Sequence, residues 1–268
     1  MRTIDEANQL ASPVKVTLYS IAVSHPARAA GLMLRYKGIE HELVNLMPGS
    51  QRLLLRLKGF RGATVPALRI DGRRLQGSLE ISRALDELRP EPPLFPADPR
   101  RRASVEQAER WGESVLQPLP RNLFRWCAAR DGELRRSLAE TSGMPLPALS
   151  AVLAKPLAWY FARVVSRATD DSVRAELAAL PDQLEHVDGL IAAGVIGGER
   201  PNAADFQIAT SVRALLNVPQ LRPLAEPRPA GELAMRIAPR FGGSLPVRLP
   251  DEWIPRPASR AAPQSLPE

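Results

Sequence analysis

The chain has 268 residues, 44% hydrophobic and 24% charged, which suits two domains and excludes wholesale disorder. The net charge of +7 leans towards residues 1–95, with 14 basic against 9 acidic residues, and is almost wholly arginine; its one tight cluster, Arg100-Arg101-Arg102, lacks the alternating aromatics of a nucleic-acid groove. A single cysteine, Cys127, excludes an intramolecular disulfide, and the acids Asp5 and Glu6 stand where a signal peptide is apolar, so the expectation is a soluble, cytoplasmic protein without a membrane partner.

Val14 to Ser20 is rich in β-branched and aromatic residues and has the length of one strand. From Pro26 to Lys37, residues Ala29, Leu32, Met33 and Tyr36 recur at helical spacing, with Pro26 in the first turn and Gly38 as the stop. Ile39 to Leu46 reads as a second strand, and a strand, helix and strand joined this tightly imply a parallel pair. A Gly- and Arg-rich connecting stretch leads to Val65–Ile70, then Asp71-Gly72, then Arg73–Gln76, a hairpin signal. Gly77-Ser78 precedes a helical stripe of Leu79, Ile81, Ala84, Leu85 and Leu88. Residues 89–103 form a Pro-rich linker and mark a domain boundary.

Everything beyond the linker reads as helical. Ser104-x-x-Gln107 is a capping box opening a helix through Trp111, Val115 and Leu116. A second helix spans Leu149 to Val165, where Pro156 should kink or split it; Lys155, Pro156 and Arg163 also keep this stretch from reading as a membrane span. A stripe of Leu184, Val187, Leu190 and Ile191 runs from Leu180 to Gly194. Asn202-x-x-Asp205 then caps a helix with Ile208, Val212, Leu215 and Leu216 on one face. Residues 242–268 are rich in Pro, Arg and Ala without a period and read as an extended or disordered tail, with Trp253 as its anchor.

This order of elements resembles the glutathione S-transferase superfamily over roughly residues 14–240. The residues that carry the resemblance are Leu18-Tyr19-Ser20, Ser24, Lys37-Gly38-Ile39-Glu40, Val65-Pro66-Ala67-Leu68, Ser78 and Asn202-Ala203-Ala204-Asp205-Phe206. It implies an α/β plus all-α fold: a thioredoxin-like thiol-binding domain over 13–90 and an all-helical C-terminal domain over 104–241. It implies a cis peptide between Val65 and Pro66, with the backbone there pairing with a thiol peptide. Gly77 and Ser78 complete the thiol-binding residues, Ser78 opening a helix whose N-terminus suits a γ-glutamyl carboxylate. Ser24 takes the catalytic position, where a hydroxyl and a helix N-terminus favour a thiolate. Trp111 and Trp126 lie on helices that would line an acceptor pocket, and Asn202 and Asp205 form a structural cap. The family further implies a homodimer, no bound cofactor, and glutathione or another low-molecular-weight thiol as co-substrate. Three positions depart from the family pattern: Gly77 replaces a Glu or Gln, Ala29 an Arg, and Thr64 a residue often basic or polar.

Plainer readings stand beside these. Ser78 also reads as an ordinary N-cap, Ser24 as a polar loop residue, and the tryptophans as core aromatics. Tyr19 and Ser20 are weaker candidates for the thiol site, belonging to the strand and its exit. His25, His41, His186 and Cys127 have no metal-ligand spacing, and no G-x-S-x-G, G-x-G-x-x-G or P-loop is present. The leading expectation is a thiol transferase acting on an electrophile. A non-catalytic binding or dimerisation module of the same fold is the alternative, and a thiol-dependent isomerase or dehalogenase the third reading.

Overall fold

A computed structural model describes residues 14–241 and 248–255. Its N-terminal part runs β1 (Val16–Ser20), α1 (His25–Tyr36), β2 (Glu42–Asn45), α2 (Gln51–Leu57), β3 (Ala67–Ile70), β4 (Arg73–Gln76) and α3 (Ser78–Leu88). All five residues of β1 are buried, as befits an interior strand. It pairs parallel with β2 and antiparallel with β3, which pairs antiparallel with β4, giving the order β2-β1-β3-β4. The β3–β4 turn places Asp71 at φ 44° and Gly72 at φ 91°, the left-handed pair whose twist matches a two-residue hairpin. One sheet face carries Leu18, Leu68 and Leu75 against Met33 and Leu34 of α1 and Ile81 and Leu85 of α3. Tyr19, Leu46, Leu55, Phe60 and Ala67 form the core of the other.

Two local expectations change. The second strand is four residues long, because Ile39 N–H donates to the Leu34 carbonyl behind Gly38 (φ 60°) and belongs to the helix exit. The connecting stretch after it folds into α2, which buries Leu55 while leaving Leu53 and Leu57 exposed.

The helical part begins with α4 (Pro99–Trp111), a wide turn (Gly112–Leu116), α5 (Pro118–Arg130), α6 (Gly132–Thr141), α7 (Pro147–Leu153) and α8 (Lys155–Tyr160). It continues with α9 (Asp170–Ala178), α10 (Leu180–Ala192), α11 (Ala203–Leu216), α12 (Arg222–Ala225) and α13 (Pro229–Ile237). α4 starts earlier than the Ser104 box predicts: the Asp98 carboxylate accepts Arg101 N–H at 2.9 Å, Pro99 follows at the first position, and Ser104 Oγ merely donates to the Arg100 carbonyl. In the wide turn Gln117 N–H reaches back five residues to Gly112. Pro118 explains it, since a proline lacks the N–H that Ser114 would receive in a regular helix and its ring crowds that carbonyl. Pro156 splits the next helix as anticipated: α7 and α8 meet at Ala154 and are bent by 46°. Almost every residue of α11 is buried, with α1, α4 and α13 packed around it.

Within the tail, residues 248–255 are not a loose extended run: Leu249 is buried and bonded to Gln220, Asp251–Trp253 form a short 3-10 turn, and the Trp253 ring lies 5.3 Å from that of Trp126; residues 242–247 and 256–268 lie outside the described residues. Among the described residues no single helix is long and apolar enough to cross a membrane.

Candidate active site

The register aligns Tyr19 with Ala67 and Ala67 with Gln76. The exits of β1 and β4 and the entry to β3 therefore share one sheet edge, within about 10 Å at ordinary strand spacing. Ser24 follows the first, Val65-Pro66 precedes the third strand, and Gly77-Ser78 follows the fourth. This edge gathers the N-termini of α1 and α3.

Ser24 is the N-cap of α1, its Oγ accepting Ala27 N–H at 3.3 Å, so the hydroxyl proton remains to be donated outward. The Val65–Pro66 peptide is cis. Ser78 is not an N-cap: Gly77 holds that position, and Ser78 is the first helical residue. Its hydroxyl is buried without a hydrogen-bond partner, beside the free N–H groups of the first turn of α3. Gly77 sits at φ 88°, ψ 152°, a conformation open to glycine, and no atom lies within 4 Å of where its Cβ would be. Gln76 does not reach round to fill that space. Its Oε1 accepts Gly62 N–H at 2.5 Å and its Nε2 donates to the Thr64 carbonyl at 3.2 Å.

The helical part closes over this edge. Glu109 of α4, fully buried, accepts from Ser82 Oγ at 2.7 Å and pairs with Arg83 at 2.6 Å. One turn along both helices lies Glu113, near Ser78 but without a hydrogen bond to its hydroxyl; burial raises the Glu113 pKa, opposed by the Arg121 and Arg83 guanidiniums. His25, the first residue of α1, is enclosed near Arg121 and the Gln117 backbone, and burial lowers its pKa to about 3. The imidazole is neutral and adds no positive charge to the site. What the edge offers is two helix N-termini, two hydroxyls, a carboxylate from Glu113 and a guanidinium from Arg121. That set suits an anionic sulfur and a zwitterionic amino-acid group.

The remaining candidates lie in packing contacts. Trp111 stacks on His186 of α10 with ring centres 4.2 Å apart. Trp126 donates to Asp170 Oδ1 at 2.9 Å and packs against Trp253, with Arg130 over its ring. Tyr19 is buried against Phe60, on the far core. Burial pushes the Cys127 thiol up to about 12, so it is no nucleophile near neutral pH. Asn202 and Asp205 form a reciprocal cap: Asn202 Oδ1 accepts Ala204 and Asp205 N–H, while Asp205 accepts Asn202 N–H at 2.8 Å and Gly197 N–H at 2.7 Å. Glu113 and Arg121 escape a sequence reading. The one local signal is that Glu113 stands four residues after Glu109, on the face that meets α3.

The profile of the family "Glutathione S-transferase, N-terminal domain" matches residues 18–93. The maleylacetoacetate isomerase of Mus musculus is 38% identical over 109 residues, 39% of this chain and 50% of that protein. Glutathione S-transferase Z2 of Arabidopsis thaliana is 38% identical over 107 residues, 39% of this chain and 48% of that protein. The chain thus spans about half the length of the curated relatives it matches. Among solved structures, a glutathione S-transferase from Sinorhizobium meliloti 1021 superposes with a TM-score of 0.60 at 19% identity, covering 84% of this chain and 89% of that one. Maleylacetoacetate isomerase from Anaeromyxobacter dehalogenans 2CP-1, solved with glutathione in its active site, gives 0.53 at 22% identity, covering 85% and 94%.

Proposed function

We propose that the chain is a member of the glutathione S-transferase superfamily, whose N-terminal-domain profile matches residues 18–93, and that it activates glutathione, or a closely related γ-glutamyl thiol, for attack on an electrophilic small molecule. The observation that carries the reading is the shared sheet edge, where the Ser24 hydroxyl caps α1 and the unpartnered Ser78 hydroxyl opens α3. The thiol rests on the α1 N-terminus and takes the proton of the Ser24 hydroxyl as a hydrogen bond. The cysteinyl backbone pairs with Val65 beside Pro66. Ser78 and the first N–H groups of α3 take the glutamyl carboxylate, and Glu113 takes the ammonium in place of the acid that Gly77 lacks. A free thiol has a pKa near ~8.5; lowering it to ~6.5 raises the thiolate at pH 7 from about 3% to about 75%, a gain of about 2.7 kcal/mol. With His25 neutral, that stabilisation falls to Ser24 and the helix terminus.

A second reading is favoured by the isomerases among the curated relatives: the thiolate adds to a conjugated double bond, the resulting single bond rotates, and elimination returns the thiol. Transfer consumes one thiol per turnover, whereas isomerisation consumes none, so glutathione stoichiometry separates the two. Trp111 and Trp126 as an acceptor wall, a homodimer and a cytoplasmic location belong to the same reading; sedimentation at micromolar concentration tests the dimer.

The deciding experiment is conjugation of glutathione to chlorodinitrobenzene between pH 5.5 and 8.5. Ser24→Ala is expected to lower turnover about 10- to 100-fold, the worth of a hydrogen bond to a charged group, with affinity little changed. Ser24→Cys is expected to trap glutathione as a mixed disulfide under an oxidant such as oxidised glutathione. A wild-type rate and pH profile in Ser24→Ala would remove Ser24 from the chemistry.

A further inference from the structure

We propose that the kinked α7–α8 segment is a docking face for an anionic lipid bilayer, lying on the membrane surface without crossing it. The face is apolar and uncovered. Leu149, Val152 and Leu153 of α7 are half or more exposed, Leu153 at 70%, and Trp159, at 55%, and Tyr160 of α8 join them, followed by Val164. Soluble surfaces scatter such side chains singly; a contiguous set marks an interaction site. The burial pattern is one-sided: Ala151 and Ala162 are the residues that turn inward, and α8 and the turn after it pack on α5.

Charge selects the partner. From Thr141 to Thr169 the chain has no acidic residue, while Lys155, Arg163 and Arg167 are basic and none of the three has an ion-pair partner among the described residues. On α8 and its continuation, Lys155, Trp159 and Arg163 recur every fourth residue beside a second row of Pro156, Tyr160 and Val164. Aromatic residues with a polar edge and long cations flanking an apolar row are the chemistry of the headgroup layer, where Trp and Tyr settle and Lys and Arg reach the phosphates. The 46° bend at Ala154, and the wide turn over Phe161–Val165 that continues α8, suit a segment lying in the interface. A second copy docked by the same segment would set Lys155, Arg163 and Arg167 against their own counterparts, with anions only at the margin where Asp131 and Glu133 border Val152. An anionic bilayer satisfies both the apolar rows and the charge.

The test is co-sedimentation of the full chain with vesicles of phosphatidylcholine alone and with about 30% phosphatidylglycerol. Binding is expected to the anionic vesicles at submillimolar lipid and to weaken at least 10-fold in 0.5 M salt. Lys155→Glu with Arg163→Glu should abolish the preference for anionic lipid, and Leu153→Ser with Trp159→Ser should weaken binding at least 10-fold. Unchanged circular dichroism and melting midpoint would show that both variants fold. No binding at 1 mM lipid, or equal binding by both variants, overturns the proposal. So does a concentration-dependent dimer that Leu153→Ser with Trp159→Ser dissolves, which would give the face to a second copy. The assay needs no thiol chemistry, so its failure leaves the proposed activity standing.

Discussion

His25 opens α1 with its ring fully enclosed, and burial lowers its pKa to about 3 from 6.5. Between those values the unfolded chain binds a proton that the folded chain refuses, so the group's contribution to stability is full above pH ~6.5 and lost as pH falls. At pH 4.5 the loss is about 2–3 kcal/mol. Urea unfolding of the wild type and His25→Asn at pH 7.0 and 4.5 should show that much more acid destabilisation in the wild type. Equal losses would mean that the ring protonates freely in the fold. Gly77 poses the opposite question, of conformation against space. Its Cβ position is empty, yet its φ of 88° strains any L side chain. Gly77→Glu should therefore lower stability by about 1–3 kcal/mol in calorimetric melting. In titration the same variant should bind glutathione roughly 10–150-fold more tightly, by adding a charge-assisted hydrogen bond. Unchanged affinity beside tight binding of a different thiol would reassign the co-substrate.

Capping is where the elements of this chain carry most of their local information. Asp205 is wholly buried and accepts two backbone N–H groups from Asn202 and Gly197. Asp205→Ala leaves both donors without a partner, for an expected loss of about 2–4 kcal/mol, read as a lower urea midpoint. An unchanged midpoint would make the cap dispensable. The Asn202 cap and the Asp71-Gly72 turn are legible in sequence because donor and acceptor lie within a few residues of each other, whereas Ser24, which reads as a catalytic or loop residue, also caps α1. The start of α4 is not, since Asp98-Pro99 and Ser104-x-x-Gln107 offer two competing caps and only packing decides between them. Nor is α2, whose leucines are split between a buried Leu55 and exposed Leu53 and Leu57 and trace no single face. The site divides the same way. Of the proposed site residues, Ser24 and Ser78 come from the family resemblance, whereas Glu113 stands near Ser78 in a wide turn that Pro118 imposes four residues beyond Ser114, and the charges around it come from α3 and α5.

Across the molecule, a few buried ions hold the layers in register. The Lys37 ammonium is wholly enclosed at the end of α1, where it donates to Asp86 at 2.7 Å and to the carbonyls of Arg89 and Pro90 at 2.6 and 3.3 Å. Asp86 also accepts Leu94 N–H, so one ion pair fixes α1, α3 and the linker together. Lys37→Met would strand that carboxylate and both carbonyls; a loss of about 3–5 kcal/mol is expected by urea unfolding, and a loss below 1 kcal/mol would show that water replaces the ammonium. A looser joint lies between the β2–α2 loop and α8. A Cβ on Gly49, whose φ is 95°, would stand 2.4 Å from Leu157 Cδ2. The two positions are thus one steric unit contributed by both halves of the chain. A side chain at 49 would have to turn the half-exposed Leu157 tip aside and also adopt a left-handed backbone, and the backbone is the harder of the two demands. Related sequences that lack a glycine at 49 should therefore carry an asparagine or a differently shaped loop there, with the leucine at 157 free to stay.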